Sequence, residues 1–284
     1  MGSSATLAAP NRAWSPSSLF SAGERGIWYD PSDLSTMFLT ASGITQVTAV
    51  TQPVGLILDK SQGLVLGPEL TVNGSFNTDT AWTKGTGWTI GSGVASKSAG
   101  TAAALSQNMG LVQYKTYLIT FNIVCNAGSI TIRLGDTIPN LVFVSVTGSY
   151  TYRFQCPGAT GVAYFSGDAA FTGSIDNISF KEIPGQHSKQ ATAGLRPILS
   201  AAPTRINFDV VDDTLVALFS PSFGTDCTVC RAVPGVSASI LTAQTIGTTY
   251  TDNTDYCGLI IVNRALTAGE TANVTKYLNA QAGA

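Results

Sequence analysis

Apolar residues recur at every second position in several short runs, and most of these runs fall between Gly67 and Ile183. Tyr117, Ile119, Phe121, Ile123 and Cys125 alternate with Leu118, Thr120, Asn122 and Val124, the period of a strand with one buried face. Ile130, Ile132 and Leu134 alternate with Thr131 and Arg133 in the same way. Val142, Val144 and Val146 precede a Gly-Ser turn, and Tyr150, Tyr152, Phe154 and Cys156 follow it, so Leu141 to Cys156 reads as a hairpin. Short strands at this spacing, separated by Gly, Ser, Thr and Asn, predict a β-sandwich or jelly roll over residues 67–183.

The last strand of that module contains a conflict. If Ile178 and Phe180 point inward, a strict period of two puts Asp176 on the same buried side, where an unpaired carboxylate is costly. Asp176 is therefore expected to have a cation, an arginine or several backbone N–H groups beside it. Glu69, at the start of the first strand, can meet Asp176 at one sandwich edge, and with backbone carbonyls the two make a hard-oxygen site suited to a structural Ca²⁺. A salt-bridged or N–H-bonded Asp176 is the equal alternative.

The flanks have less pattern. Residues 1–13 are small and polar, and flexible unless a partner pins them. Trp14 to Leu66 is too broken by Gly, Pro and Asp to build a core, yet Trp14, Leu19, Phe20, Ile27, Trp28, Tyr29, Leu34, Met37 and Phe38 need a surface to cover. It reads as an extended N-terminal arm (1–66), packed on the rest of the chain or on a neighbouring subunit, with Trp28, Tyr29 and Phe38 as candidate assembly contacts. A strap lying on its own chain is the competing reading.

Residues 184–203 read as a linker, since X-Pro steps disfavour helix. Strand-like runs then resume at Arg205 to Val211, Thr214 to Phe219, Thr228 to Val233, Ser239 to Leu241 and Cys257 to Asn263. Thr267 with Glu270 three residues on is a capping-box pattern, and Val274, Tyr277 and Leu278 follow at helical spacing before Gly283. The expected fold is all-β: a jelly-roll sandwich, a second small β-domain (204–284) with one C-terminal helix, and the extended arm.

Composition narrows the function. The 284 residues are 11% charged with a net charge of -2, so no basic surface recruits nucleic acid by counterion release. No run of 18 apolar residues occurs and the start lacks the basic-then-apolar order of a signal peptide, so neither membrane insertion nor ordinary secretion is expected. Five cysteines without framework spacing fit synthesis in a reducing cytoplasm.

A search for catalytic chemistry returns little. The one histidine, His187, falls in the linker and reads as solvated. A glycosidase pair would have to be assembled from scattered carboxylates such as Asp168, Asp209, Asp212 and Asp213, and the Asp212-Asp213 pair fits a solvated turn better. Cys227 and Cys230 have the spacing of a zinc or redox half-site but no second pair, and read as small core residues. Trp82 and Trp88 lie in Gly- and Thr-rich loops, where an indole is either a pillar under the loop or a platform for a sugar face, pillars being commoner.

GPELTVNGSF (67–76), AWTKGTGWTI (81–90) and IDNISFKEI (175–183) resemble carbohydrate-binding modules of the jelly-roll families 4 and 9. That resemblance implies a two-sheet sandwich, commonly with a structural Ca²⁺ near the first and last strands, where Glu69 and Asp176 match. WYDPSDLSTMF with TQPVGLILDKSQG (28–38 and 51–63) resembles an opening found in tailed-bacteriophage virion proteins. VVDDTLV (210–216) with LIIVNRALTAGETANVTKYLNA (259–280) is similar to the ends of a concanavalin-like, laminin-G-like sandwich in those proteins, with a shorter span between.

The resemblances imply a non-enzymatic structural component of a phage particle, made in the host cytoplasm and localised to the virion. Its expected partners are other virion proteins, further copies of itself in a homo-oligomer such as a trimer, and host-surface glycans; the family's sugar-binding aromatics vary too much to carry over, so Trp82 and Trp88 stand as glycan contacts only on the indole argument above. A tail fibre or receptor-binding protein is the first reading and a capsid decoration protein the second. A polysaccharide depolymerase anchored by the module is a third, and a scaffold without sugar binding a fourth.

Overall fold

The computed structural model describes residues 14–135 and 142–284. The first thirteen residues, expected to be flexible, and Leu141, the expected start of a hairpin, lie outside that range. The fold is all-β with one C-terminal helix.

Residues 67–183 form a sandwich of two five-stranded antiparallel sheets. One sheet orders its strands as Gly148–Gln155, Thr116–Ala127, Thr172–Ile183, Val94–Lys97 and Trp88–Gly91. The other runs Val142–Val144, Ile130–Leu134, Val162–Gly167, Ala103–Asn108 and Thr83–Lys84. The alternation read from sequence holds: Tyr117, Ile119, Phe121, Ile123, Ile130, Ile132 and Leu134 are all buried. Their rings and branches interdigitate between the sheets, with Phe121 edge-on to Phe165 at 5.6 Å.

The expected hairpin from Leu141 to Cys156 does not form. Val142–Val144 pairs with Ile130–Leu134 in one sheet, whereas Gly148–Gln155 pairs with Thr116–Ala127 in the other. The Gly-Ser turn therefore carries the chain across the sandwich instead of back along one sheet. Period-two alternation is the same for a hairpin and for this crossing, so the pattern could not separate them.

The second unit is assembled from both ends of the chain. Gly26–Tyr29 pairs with Gly258–Val262, which pairs with Gly224–Ala232 and, beyond it, Ala238–Ile246. A facing sheet contains Met37–Phe38, Leu56–Ile57, Ser188–Lys189, Leu215–Leu218 and Thr249–Asp252. Between the sheets Ile27, Tyr29, Met37, Ile57, Ala217, Phe219, Leu259 and Ile261 share one core. On the outer side of the first sheet, Trp28, Cys230, Ile260 and Val262 pack under Val274, Leu278 and Ala282 of the helix Ala268–Ala282.

The arm and the linker are thus structural members of this unit, and the sandwich is an insertion in it. Trp28, Tyr29 and Phe38, expected to contact other subunits, are covered by their own chain and are 9%, 1% and 4% exposed. Lys60 Nζ sits 4.5 Å over the Trp28 ring, and Arg153 of the inserted sandwich sits 4.3 Å over Phe38. Phe38 therefore lies at the seam between the two units, where the Arg153 backbone N–H also donates to Ser42 O at 2.8 Å and its guanidinium donates to Gly43 O.

The helix spans Ala268–Ala282 as its cap pattern predicts. The Thr267 hydroxyl accepts the Glu270 N–H while the Glu270 carboxylate accepts the Thr267 N–H, and Gly283 closes the other end at φ 72°, a left-handed cap that glycine adopts freely. No helix among the described residues is long and apolar enough to cross a membrane.

Candidate functional site

Trp82 and Trp88 are pillars. They are 7% and 5% exposed, and each indole N–H is spent inside the module, Trp82 Nε1 on Asn73 O at 3.1 Å and Trp88 Nε1 on Ala103 O at 3.0 Å. Trp82 packs on Phe76 and Phe165, and Trp88 on Phe171. Neither ring offers a face to a sugar.

A surface suited to a ligand lies elsewhere, on the outward side of the sheet containing Val162–Gly167. Ala163, Phe165 and Gly167 face the core, so Tyr164 and Ser166 face out, and both are half-buried. Register sets their neighbours. Thr83 lies opposite Ser106, Ser106 opposite Tyr164, and Tyr164 opposite Arg133. The adjacent row runs Ala104, Ser166, Thr131 and Phe143.

Tyr164 stands at the middle of this face with the Arg133 guanidinium 4.8 Å from its ring centroid. Arg133 Nη2 also reaches Ser166 Oγ at 3.5 Å. Phe143 at the sheet edge is 67% exposed. The result is an outward patch with aromatic, guanidinium and hydroxyl groups side by side, the mix that sugar recognition uses for stacking and hydrogen bonding.

Asp176 is resolved by a bulge. The pairing of Thr172–Ile183 with its neighbour shifts register between Asp176 and Ser179, and Asn177 adopts φ 52°. One extra residue reverses the parity. Ile175 and Ile178 both face inward while Asp176 is half-buried and turned aside, its Oδ1 accepting the Asn177 N–H at 2.6 Å. The inference that Asp176 shares the buried side of Ile178 and Phe180 is corrected accordingly.

Glu69 is held by hydrogen-bond donors. Its Oε1 accepts Phe180 N–H at 2.8 Å and Thr71 N–H at 3.0 Å, and its Oε2 accepts the Ser179 hydroxyl. Partial burial works against its charge, but these donors outweigh it and hold the carboxyl below its ordinary range. Two of the three donors are backbone N–H groups that cannot turn away, so the donor set fits a carboxylate stabilised by the chain better than a Ca²⁺ ligand.

Among the described residues the carboxylates that do gather are Asp209, Asp212 and Asp213, whose oxygens lie within 4.8 Å of one another. Asp209 Oδ1 accepts the N–H groups of Val211, Asp212 and Asp213 at 2.9, 3.2 and 3.2 Å, which hold its carboxyl low. These bonds shape the turn between strands that the sequence indicated. Asp168 is likewise a turn-former, accepting Ser129 Oγ at 2.7 Å and Ala170 N–H at 2.9 Å.

His187 is buried, not solvated, at 2% exposure. Its Nδ1 accepts the Asp59 N–H at 2.9 Å, which places its proton on Nε2, 3.2 Å from Ile183 O. Burial pushes its pKa down to about 4, with Lys115 adding to the effect and the Ile183 contact opposing it. Both ring nitrogens are committed to the backbone, so this histidine has no free lone pair for acid–base work on a substrate. Cys227 and Cys230 are fully buried on opposite faces of their strand, one in each core of the second unit, so they cannot share a metal.

Fold and site together define a class: an all-β protein in which a two-sheet sandwich is inserted into a second, helix-backed sandwich, with an open polar sheet face on the insert. No known protein family matches the chain, and no curated protein matches it. A solved structure titled "CBM4 structure and function" aligns at 18% identity over 39% of this chain and 98% of its own, with a TM-score of 0.30.

Proposed function

We propose that this protein is a glycan-binding, non-enzymatic component of a tailed-phage particle, and that its binding surface is the outward sheet face centred on Tyr164 and Arg133. The observation that carries the binding half is that face itself: Tyr164 beside Arg133 at 4.8 Å, with Thr83, Ser106, Thr131 and Ser166 as neighbouring register positions. The hydroxyls can donate to and accept from sugar hydroxyls, the ring supplies an apolar surface, and the guanidinium favours saccharides that carry a carboxylate or phosphate. Many weak copies on one particle would add up to firm adhesion.

The particle half is supported by the flanking sequences WYDPSDLSTMF and LIIVNRALTAGETANVTKYLNA, which resemble phage virion proteins. A glycan array probed with the purified protein tests the binding half. Signal on acidic glycans that Arg133→Ala and Tyr164→Ala both abolish is the expected result, and an array without signal overturns it. Microscopy of labelled particles tests the other half, label on tails or fibres supporting a receptor-binding part, label on heads a decoration protein, and unlabelled particles overturning the assignment.

A further inference from the structure

Apart from the Asp59–His187 contact, polar side chains also gather between the two sheets of the second unit. Tyr29, Leu259 and Arg231 are register neighbours across one sheet, and Ser188, Ala217 and Tyr250 are neighbours across the facing one. The side chains of Tyr29 and Arg231 therefore meet those of Ser188, Tyr250 and Asp252 between the sheets, and Tyr256 enters from the connection that follows Thr249–Asp252. Arg231 ties the region together. Its Nη2 donates to Asp252 Oδ1 at 2.7 Å and to Tyr250 Oη at 3.2 Å, and its guanidinium lies 5.5 Å from the Tyr256 ring centroid.

Three polar atoms here lack a hydrogen bond of good geometry to the protein: Ser188 Oγ, which has Tyr29 beside it, Asp252 Oδ2 and Tyr256 Oη. They belong to residues that are 1%, 2% and 0% exposed, and they come from three separate stretches of chain. Tyr29 Oη, which donates to Gln186 O at 2.6 Å, adds a fourth oxygen close to Ser188 and Tyr256. Leaving three such groups unsatisfied in a core is expensive. Burial also drives the Asp252 carboxyl upward even with Arg231 against it.

The required complement follows from the chemistry of the three atoms. Asp252 Oδ2 accepts only, whereas the Ser188 and Tyr256 hydroxyls each donate one proton and accept others. Arg231 already neutralises Asp252, so no second positive charge is called for. A small neutral molecule that both donates and accepts suits all three, and each atom is shielded from bulk solvent. We infer that Ser188, Asp252 and Tyr256 form an internal hydration site, in which bound water bridges the two sheets of the second unit and links residues 188, 252 and 256.

Such water makes about three hydrogen bonds and is costly to remove. Its effect on stability distinguishes it from a set of merely unsatisfied groups, because deleting an unsatisfied hydroxyl relieves a penalty while deleting a bridged one breaks a bond. Tyr256→Phe and Ser188→Ala in the full chain are each expected to lower the unfolding midpoint by about 2–4 °C. The double variant should fall short of the sum, because both hydroxyls serve one water. A midpoint unchanged or raised in either single variant overturns the inference. A crystal structure of the unaltered protein should show solvent density within hydrogen-bond distance of at least two of the three oxygens. Direct pairing of the side chains, or an anomalous peak there after a rubidium soak, overturns it as well.

Discussion

The imidazole Nδ1 of His187 accepts the backbone N–H of Asp59 at 2.9 Å, joining two residues 128 positions apart in the chain. The Asp59 carboxylate in turn accepts the N–H groups of Trp28, Ser61 and Gln186, each at 2.8 Å, and the Ser61 hydroxyl at 2.8 Å. Both side chains are buried, Asp59 wholly. A histidine whose place in the linker suggested solvent exposure is a bracket between the segments on either side of the inserted sandwich.

That bracket should be sensitive to acid. His187 titrates at about 4 in the fold against 6.5 in an unfolded chain, so between those values the unfolded state binds the extra proton. Its contribution is complete above pH 6.5 and is lost as the pH falls toward 4, at about 3 kcal/mol in the limit. Asp59 acts the other way. Burial raises it to about 6, so the folded state takes up its proton first and gains as the pH falls from 6 toward 3.8. His187→Asn keeps an acceptor for the Asp59 N–H and removes the imidazole's titration. Chemical denaturation from pH 7 to pH 4 should show the unaltered protein losing about 2–3 kcal/mol relative to this variant; parallel profiles would contradict a buried neutral imidazole.

Trp82→Ala and Tyr164→Ala separate pillar from platform. Trp82 is in the core, and its loss should cost about 3–5 kcal/mol. Tyr164 is on the outward face, and its loss should change stability by less than about 1 kcal/mol while removing glycan binding. Urea unfolding beside a glycan array reads both. Equal destabilisation by the two substitutions would show that Tyr164 is a core residue after all.

Calcium should do little. Because Glu69 is held by Thr71, Ser179 and Phe180, adding Ca²⁺ or EDTA is expected to leave the thermal unfolding midpoint unchanged. Glu69→Gln, which weakens charge-assisted hydrogen bonds at an exposed site, should cost about 1 kcal/mol. A Ca²⁺-dependent rise in the midpoint that Glu69→Gln abolishes would restore the metal site.

Asn177 should be replaceable by glycine and by little else. At φ 52° a β-branched residue is strained by about 1–2 kcal/mol, so Asn177→Val is expected to lose that much and Asn177→Gly to be near neutral. Thermal unfolding of the pair measures it, and a stable Asn177→Val would mean that the bulge can slip to ordinary pairing.

These cases show which physical signals the sequence carried. Alternation marked the inward faces of Tyr117 to Ile123 and of Ile130 to Leu134 because one side of each strand meets a core. The capping box marked Thr267 because its signal is wholly local. Arg133 was visible as an outward position, but its partner Tyr164 comes from another strand, and only register brings the two together. The bulge at Asn177 left no clear mark, since asparagine is common in turns as well as in left-handed strand positions. Gly26–Tyr29 read as an arm because its four consecutive buried residues have no alternation, and its partner Gly258–Val262 lies at the far end of the chain.

The two ends of the inserted sandwich leave from one place, where Gly67 N–H donates to Glu182 O at 2.9 Å. During synthesis the insert is complete once residue 183 has emerged, and its strands all have partners by then. Gly26–Tyr29, made far earlier, must wait for Gly258–Val262 before it has any neighbour in its sheet. A segment translated before the insert is therefore fastened only after it, and the growing polypeptide presents a finished sandwich on a still-open base until residues 258–262 emerge.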